Sequence, residues 1–181
     1  MGRAYLSISE PVQRFIEEQP MFFVATAPLA AGGHINLSPK GMDTLRIVDP
    51  DTITYVDLAG SGAETIAHLR DNGRITIMWC SFGPAARIVR AYGTGTYILP
   101  GSRHFDDLAS MFPPYRAVRS MIRIAIDRVA DSCGFGVPEM TLIGQRSRLA
   151  EWADHRTDEE IETFKRDNNT VSIDGLPAWE G

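Results

Sequence analysis

The sequence predicts a mainly β protein with peripheral helices, a small antiparallel barrel of about six strands. Three observations carry that expectation. β-Branched and aromatic residues gather in short runs that alternate apolar with polar positions. The links between runs are mostly of hairpin length, whereas a parallel crossover needs about a dozen residues or more. Gly and Pro, 16 and 11 of the 181 residues, are spread along the chain, which marks turns rather than low complexity.

The elements follow in order. Ser9 caps a first helix, Glu10 and Pro11 suit its first turn, and Val12, Phe15 and Ile16 form its apolar stripe. Pro20 stops it. Met21 to Ala27 is a buried strand closed by Pro28, and Gly32-Gly33 turns the chain into a hairpin partner from His34 to Ser38. Asp49-Pro50-Asp51 is a further turn. The next strand sets Ile53 and Tyr55 on one face and Thr54 and Val56 on the other. Ser61 and Gly62 open a helix carrying Ile66, Ala67 and Leu69, and Asn72-Gly73 ends it.

Arg74 to Trp79 alternates as a strand, and after Gly83-Pro84 a long strand runs from Arg87 to Leu99. Gly93 and Gly95 inside it predict a bulge or a close backbone approach. Ser102 caps a helix with Phe105, Leu108, Ala109 and Phe112 on one side. Ile122, Ile124 and Ile126 alternate in the last strand, and Thr157-Asp158-Glu159-Glu160 is a capping box for a final helix.

A chain of 20.0 kDa with 44% hydrophobic residues fits one domain. Net charge of −5 argues against a nucleic-acid surface. No apolar run approaches the roughly 20 residues of a membrane span, and no apolar h-region follows Arg3, so neither a membrane nor a secretory signal is expected. Cys80 and Cys133 lie far apart and suit a reducing cytoplasm. Charge is uneven: residues 151–181 hold nine acids against three bases. We therefore divide the chain into a nearly neutral body, 1–150, and an acidic helical extension, 151–181, packed on the same domain. Of 18 basic residues only Lys40 and Lys165 are lysines, which singles out Lys40.

Two segments suit an anion. Asn36-Leu37-Ser38-Pro39-Lys40-Gly41 ends a strand with an amide, a hydroxyl, an ammonium and a glycine N–H, all donors to anionic oxygen, although a turn with a solvated lysine reads the same way. Ser61-Gly62-Ala63-Glu64-Thr65 opens a helix, whose free N–H groups carry partial positive charge. Arg87 and Arg90 sit on opposite faces of their strand, so one of them can reach a ligand. Arg116, Arg119 and Arg123 read as a solvated or interface stripe, and Cys133 as a buried lone cysteine rather than a nucleophile. His34, His68, His104 and His155 show no metal spacing, and no Walker, Gly-x-Ser-x-Gly or Gly-x-Gly-x-x-Gly pattern occurs.

Taken in order, Phe22 to Ala27, Asn36 to Gly41, Tyr55 to Thr65, Asn72 to Ile77 and Trp79 through Arg87–Arg90 to Gly93 resemble the pyridoxamine 5′-phosphate oxidase-like family of FMN-binding split barrels. The likeness covers roughly residues 15–130, and the stretch from Ser132 to Pro138 resembles a generally described subgroup. It implies a six-stranded antiparallel split β-barrel, a homodimer, and FMN held where the subunits meet. By the same resemblance Asn36, Ser38, Lys40, Tyr55, Val56, Ser61, Gly62, Thr65 and Arg87 flank the cofactor, with Lys40 the main charge partner of its phosphate.

Two departures set the chain apart from true pyridoxamine-phosphate oxidases. Gly62 and Ala63 stand where those enzymes carry two basic phosphate ligands, and the acidic end lacks their substrate-gripping segment. The function implied is an FMN-dependent oxidoreductase moving a hydride between flavin and a small organic substrate or nicotinamide donor. The alternatives are a non-catalytic flavin- or haem-binding storage module, a deazaflavin protein, and a barrel that has lost its cofactor.

Overall fold

In the computed structural model, which describes residues 2–181, local chemistry and long-range pairing combine as follows. A short strand β1 (Ala4–Tyr5) precedes helix α1 (Glu10–Glu17), which has Ser9 at its N-cap and Pro11 in its first turn. Then come β2 (Phe22–Thr26), β3 (Asn36–Lys40), β4 (Leu45–Asp49) and β5 (Thr52–Leu58). Helix α2 (Glu64–Asp71) leads into β6 (Arg74–Cys80) and β7 (Arg87–Ile98). Helix α3 (Arg103–Ala109) is capped by the Ser102 side chain, and β8 (Val118–Cys133) completes the sheet. Two helices follow, α4 (Arg148–Asp154) and α5 (Asp158–Asn169), the latter with its Thr157/Glu160 capping box formed.

The sheet is antiparallel, in the order β3-β2-β6-β7-β8-β5-β4, with β1 added to the far end of β8. The class is as predicted, but among the described residues there are eight strands rather than six: β1 is too short to leave a pattern, and Leu45–Asp49 mixes Arg, Asp and aliphatics without clean alternation. The hairpin partner of β2 lies two residues later than expected, at Asn36–Lys40, and α4 was not predicted. Gly93 behaves as its position suggested. The register slips there, and a Cβ would stand 2.0 Å from the Ala125 carbonyl oxygen.

Closure follows from distances. Strands sit about 4.8 Å apart, so four steps from β2 to β5 would separate them by roughly 19 Å in a flat sheet. The rings of Phe22 and Tyr55 are instead 5.7 Å apart, edge to face. The sheet is therefore curled until its β2/β3 and β5/β4 margins meet, and the margins are joined by side chains rather than by a ladder. Phe22, Val24, Ile53, Tyr55, Ile77, Trp79, Ile122 and Ile124 fill the interior, and α1 and α2 pack on the same cluster.

The outer face of β5 is covered by α3, with Val56, Met121, Leu108 and Phe112 in a second cluster. A third joins Ala59 and Ala117 to α4 and α5 through Ala153 and Ile161. The chain end returns to the main core: Trp179 is buried, and Arg70 holds both the Ala178 carbonyl and Glu180 at 2.7 Å. No helix among the described residues is long and apolar enough to cross a membrane.

Candidate functional site

At the open margin of the barrel, β3 presents alternate residues inward. Asn36, Ser38 and Lys40 are half-buried while Leu37 and Pro39 are exposed, as a period of two requires. Opposite them lie the first turn of α2 and the inner face of β5.

The charged half of this site is built on Asp57, which is fully buried. Arg119 donates to it from Nε at 2.7 Å and from a terminal nitrogen at 3.1 Å, and gives a further hydrogen bond to the Gly62 carbonyl at 2.6 Å. Lys40 Nζ stands 3.4 Å from Oδ1 of the same carboxylate, the oxygen that the Arg119 terminal nitrogen also meets, and 5.6 Å from the Tyr55 ring centre. Burial opposes the charge on Asp57, but Arg119 and Lys40 together outweigh it and hold the carboxyl below its ordinary range. One carboxylate thus faces two cations. Arg119 satisfies it, and Lys40, whose side chain is 20% exposed, is the member that meets solvent.

Arg119 reaches Asp57 because of a bulge. Asp57 pairs with Ser120 and Leu58 with Val118, so Arg119 is the extra residue in β8 and is turned inward. That corrects, for Arg119, the expectation of a solvated or interface arginine stripe; Arg116 remains exposed. Arg119 is buried, Arg116 is tied to the Ala153 and Arg156 carbonyls and to Asp158, and Arg123 reaches Thr52.

The polar half is a chain of neutral groups. Ser38 Oγ donates to Asn36 Oδ1 at 3.0 Å, and Asn36 Nδ2 donates to Thr65 Oγ1 at 3.1 Å and Thr26 Oγ1 at 3.3 Å. Thr26 Oγ1 lies 2.9 Å from Nδ1 of His68, which is fully buried and whose Nε2 meets no partner among the described residues. The Tyr55 hydroxyl is likewise buried without a hydrogen-bond partner. Burial raises its pKa well above the usual tyrosine value, and the charge of Asp57 adds to the rise.

Of the sequence candidates, Asn36, Ser38, Lys40, Tyr55 and Thr65 come together here. Gly62 borders them through Arg119, and Ser61 is exposed on the same loop. The helix does not start at Ser61, however. It starts at Glu64, with Ala63 at the N-cap and no side chain capping it. The Glu64 carboxylate folds back over Gly62, where a Cβ would stand 2.3 Å from Oε2. This loop therefore already accommodates an anionic group, and glycine is what makes the room.

Two candidates stand apart. The Val56 side chain faces α3, and Arg87 pairs with Asp131 at 3.1 Å and stacks over the Phe15 ring. Sequence reasoning missed Asp57, Arg119, Thr26 and His68, whose signal lies in strand register and burial. Cys133, expected to be buried, is exposed, while Cys80 is buried. Among the described residues no group of three or more His, Cys, Asp or Glu side chains could hold a metal ion.

Residues 8–133 match the family model described as pyridoxamine 5′-phosphate oxidase. A pyridoxamine 5′-phosphate oxidase family protein of Aspergillus flavus, ustO, is 36% identical over 96% of this chain and 76% of its own length. Among solved structures, HupZ of Group A Streptococcus has the same fold, with TM-score 0.54 at 22% identity, covering 67% of this chain and 91% of that one. So has a Lactobacillus delbrueckii protein provisionally named a pyridoxamine 5′-phosphate oxidase, with TM-score 0.56 at 13% identity, covering 69% and 94%.

Proposed function

The chain belongs to the pyridoxamine 5′-phosphate oxidase family, and from that membership we propose that it is an FMN-dependent oxidoreductase acting on a small organic substrate or nicotinamide donor. The observation that carries the reading is the excess cation at the barrel margin. Asp57 is already neutralised by Arg119, so Lys40 remains to meet a phosphate.

The residues present fit that group. Lys40 supplies charge, Ser38 and Ser61 supply hydroxyls, and the uncapped start of α2 supplies N–H groups where Glu64 now lies. Lys40 and the backbone N–H groups at the start of α2 stand in for the two basic ligands that Gly62 and Ala63 do not provide. Asn36 and Thr65, hydrogen-bonded to each other, would hold the ribityl chain, and Tyr55 lies beneath Lys40. When bound, FMN supplies the hydride chemistry, and the protein orients it and screens it from water.

A second copy completes the site in this reading. Leu37 is 61% exposed and alternates outward between Asn36 and Ser38, so whatever covers it lies beside the phosphate site. Phe135, Met140, Leu142 and Ile143 are also exposed, further apolar surface that a homodimer would bury. We place the protein in the cytoplasm, in keeping with its free cysteines.

The visible absorbance of the purified protein, with the mass of whatever heat releases, tests the cofactor. A flavin spectrum and an FMN mass are expected, followed by bleaching with a nicotinamide donor. A haem band would move the protein to the binding-module reading. A colourless protein indifferent to added FMN would overturn the proposal.

A further inference from the structure

Buried His68 and Thr26, which links it to Asn36, are not themselves among the groups assigned to the cofactor. His68 is fully buried, yet one ring nitrogen is engaged and the other is not. Buried polar groups are ordinarily partnered, so an idle nitrogen at the end of a continuous hydrogen-bonded chain asks for a reason.

The directions of the bonds can be followed. Thr26 Oγ1 accepts from Asn36 Nδ2; with its own proton on His68 Nδ1, that ring nitrogen accepts and the ring proton sits on Nε2, the free-state arrangement on which the relay depends. Asn36 Oδ1 in turn takes the proton of Ser38. In this arrangement Ser38 offers an approaching anion its lone pairs and no hydrogen, which suits an empty site and opposes an occupied one.

Adding one proton to the ring reverses every bond, with rotation of the Asn36 amide as the one heavy-atom movement required. Nδ1–H then donates to Thr26, and Thr26 donates to Asn36. The amide turns over so that its oxygen accepts from Thr26 and Thr65 while its nitrogen donates to Ser38. The Ser38 proton is released to point at the ligand. Solvent supplies one proton, and none is lost.

We propose that His68 is a positioning residue for the anion site, switching Ser38 from acceptor to donor through Thr26 and Asn36, so that an anionic ligand is bound together with a proton. The inference rests on the phosphate-site reading and adds its regulation by pH.

The surroundings agree with such a role. Burial lowers the pKa of His68, so the ring is neutral in the free protein near pH 7. Carboxylates face it from two elements, Glu64 and Asp71 on its own helix and Asp174 in the C-terminal segment, and they oppose that lowering. From β2 Thr26 faces it with its hydroxyl and with its backbone, whose hydrogen bond also favours the charged ring. A bound anion hydrogen-bonded to Ser38 raises the ring's pKa, so affinity grows as pH falls below neutrality.

The test is FMN titration, read by flavin fluorescence from about pH 5 to about pH 8, on wild type, His68→Asn and Thr26→Val. Taking the ratio of wild type to each variant cancels the titration of the FMN phosphate itself. The ratio is expected to rise by about tenfold per pH unit across the window in which the ring is neutral when free and charged when bound. Calorimetry in buffers of different ionisation heat should show wild type taking up one more proton than His68→Asn. Nitrogen NMR of His68 gives a readout without ligand, with the ring proton expected on Nε2. FMN binding with parallel pH profiles in all three proteins, or a ring proton on Nδ1, would overturn the relay and leave the phosphate site standing. Failure of wild type to bind FMN at any pH would overturn both. Should His68→Asn not fold, Thr26→Val carries the comparison, because it removes the hydroxyl at nearly constant volume.

Discussion

At the scale of single residues, the site depends on a buried charge whose partners come from distant parts of the chain. Asp57 is fully buried and Arg119 is 4% exposed, so neither can lose the other and be rescued by water. Asp57→Asn is therefore expected to destabilise the fold by about 3–5 kcal/mol, the usual cost of stranding one member of a buried pair. Urea unfolding against wild type measures it. The same pair sets an acid limit. Because the folded-state pKa of Asp57 is lowered, its contribution is present above the ordinary carboxylate pKa and is lost as pH falls through the folded value. Lys40 was visible in the sequence because lysine is scarce in this chain and stands among other donors. Arg119 was not, since three arginines spaced along a β-favouring run look solvated until a bulge turns one of them inward.

At the scale of elements, turn and cap chemistry could be read directly. Ser9 and Pro11 at α1, Ser102 at α3 and the Thr157/Glu160 box at α5 all sit where their side chains suggest. These signals are local, and so is the start of a helix with a good cap. The start of α2 lacks one, which is why Ser61 looked like its beginning while the helix waits until Glu64. Gly93 is the most exacting position in the sheet, since a side chain there would meet the Ala125 backbone. Gly93→Ala should cost about 1–3 kcal/mol through forced backbone shifts, seen as a lower urea midpoint. A variant as stable as wild type would show that the β7–β8 crossing is looser than this packing implies.

At the scale of the whole molecule, barrel closure was beyond the reach of periodicity. Nothing local says that Phe22 meets Tyr55, or that Lys40 meets Asp57 although four strands lie between theirs in sheet order. Family resemblance supplied that expectation, and the structure supplies its cause: one apolar interior shared by both margins of the sheet. The exposed apolar residues beside the site lead to a prediction about assembly. Light scattering should report twice the 20.0 kDa chain mass, and Leu37→Asp should shift the protein to monomer while weakening FMN binding. A monomeric wild type would remove the partner from the account.

Lys40 is assigned to the phosphate of a flavin, and FMN and riboflavin differ only in that phosphate, so comparing the two isolates what Lys40 does. Both ligands are titrated into wild type and Lys40→Ala. Wild type should prefer FMN strongly, and the substitution should remove about 1.5–3 kcal/mol of that preference, the usual worth of a hydrogen bond to a charged group, while leaving riboflavin affinity nearly unchanged. Equal loss for both ligands, or no loss for either, would contradict the assignment.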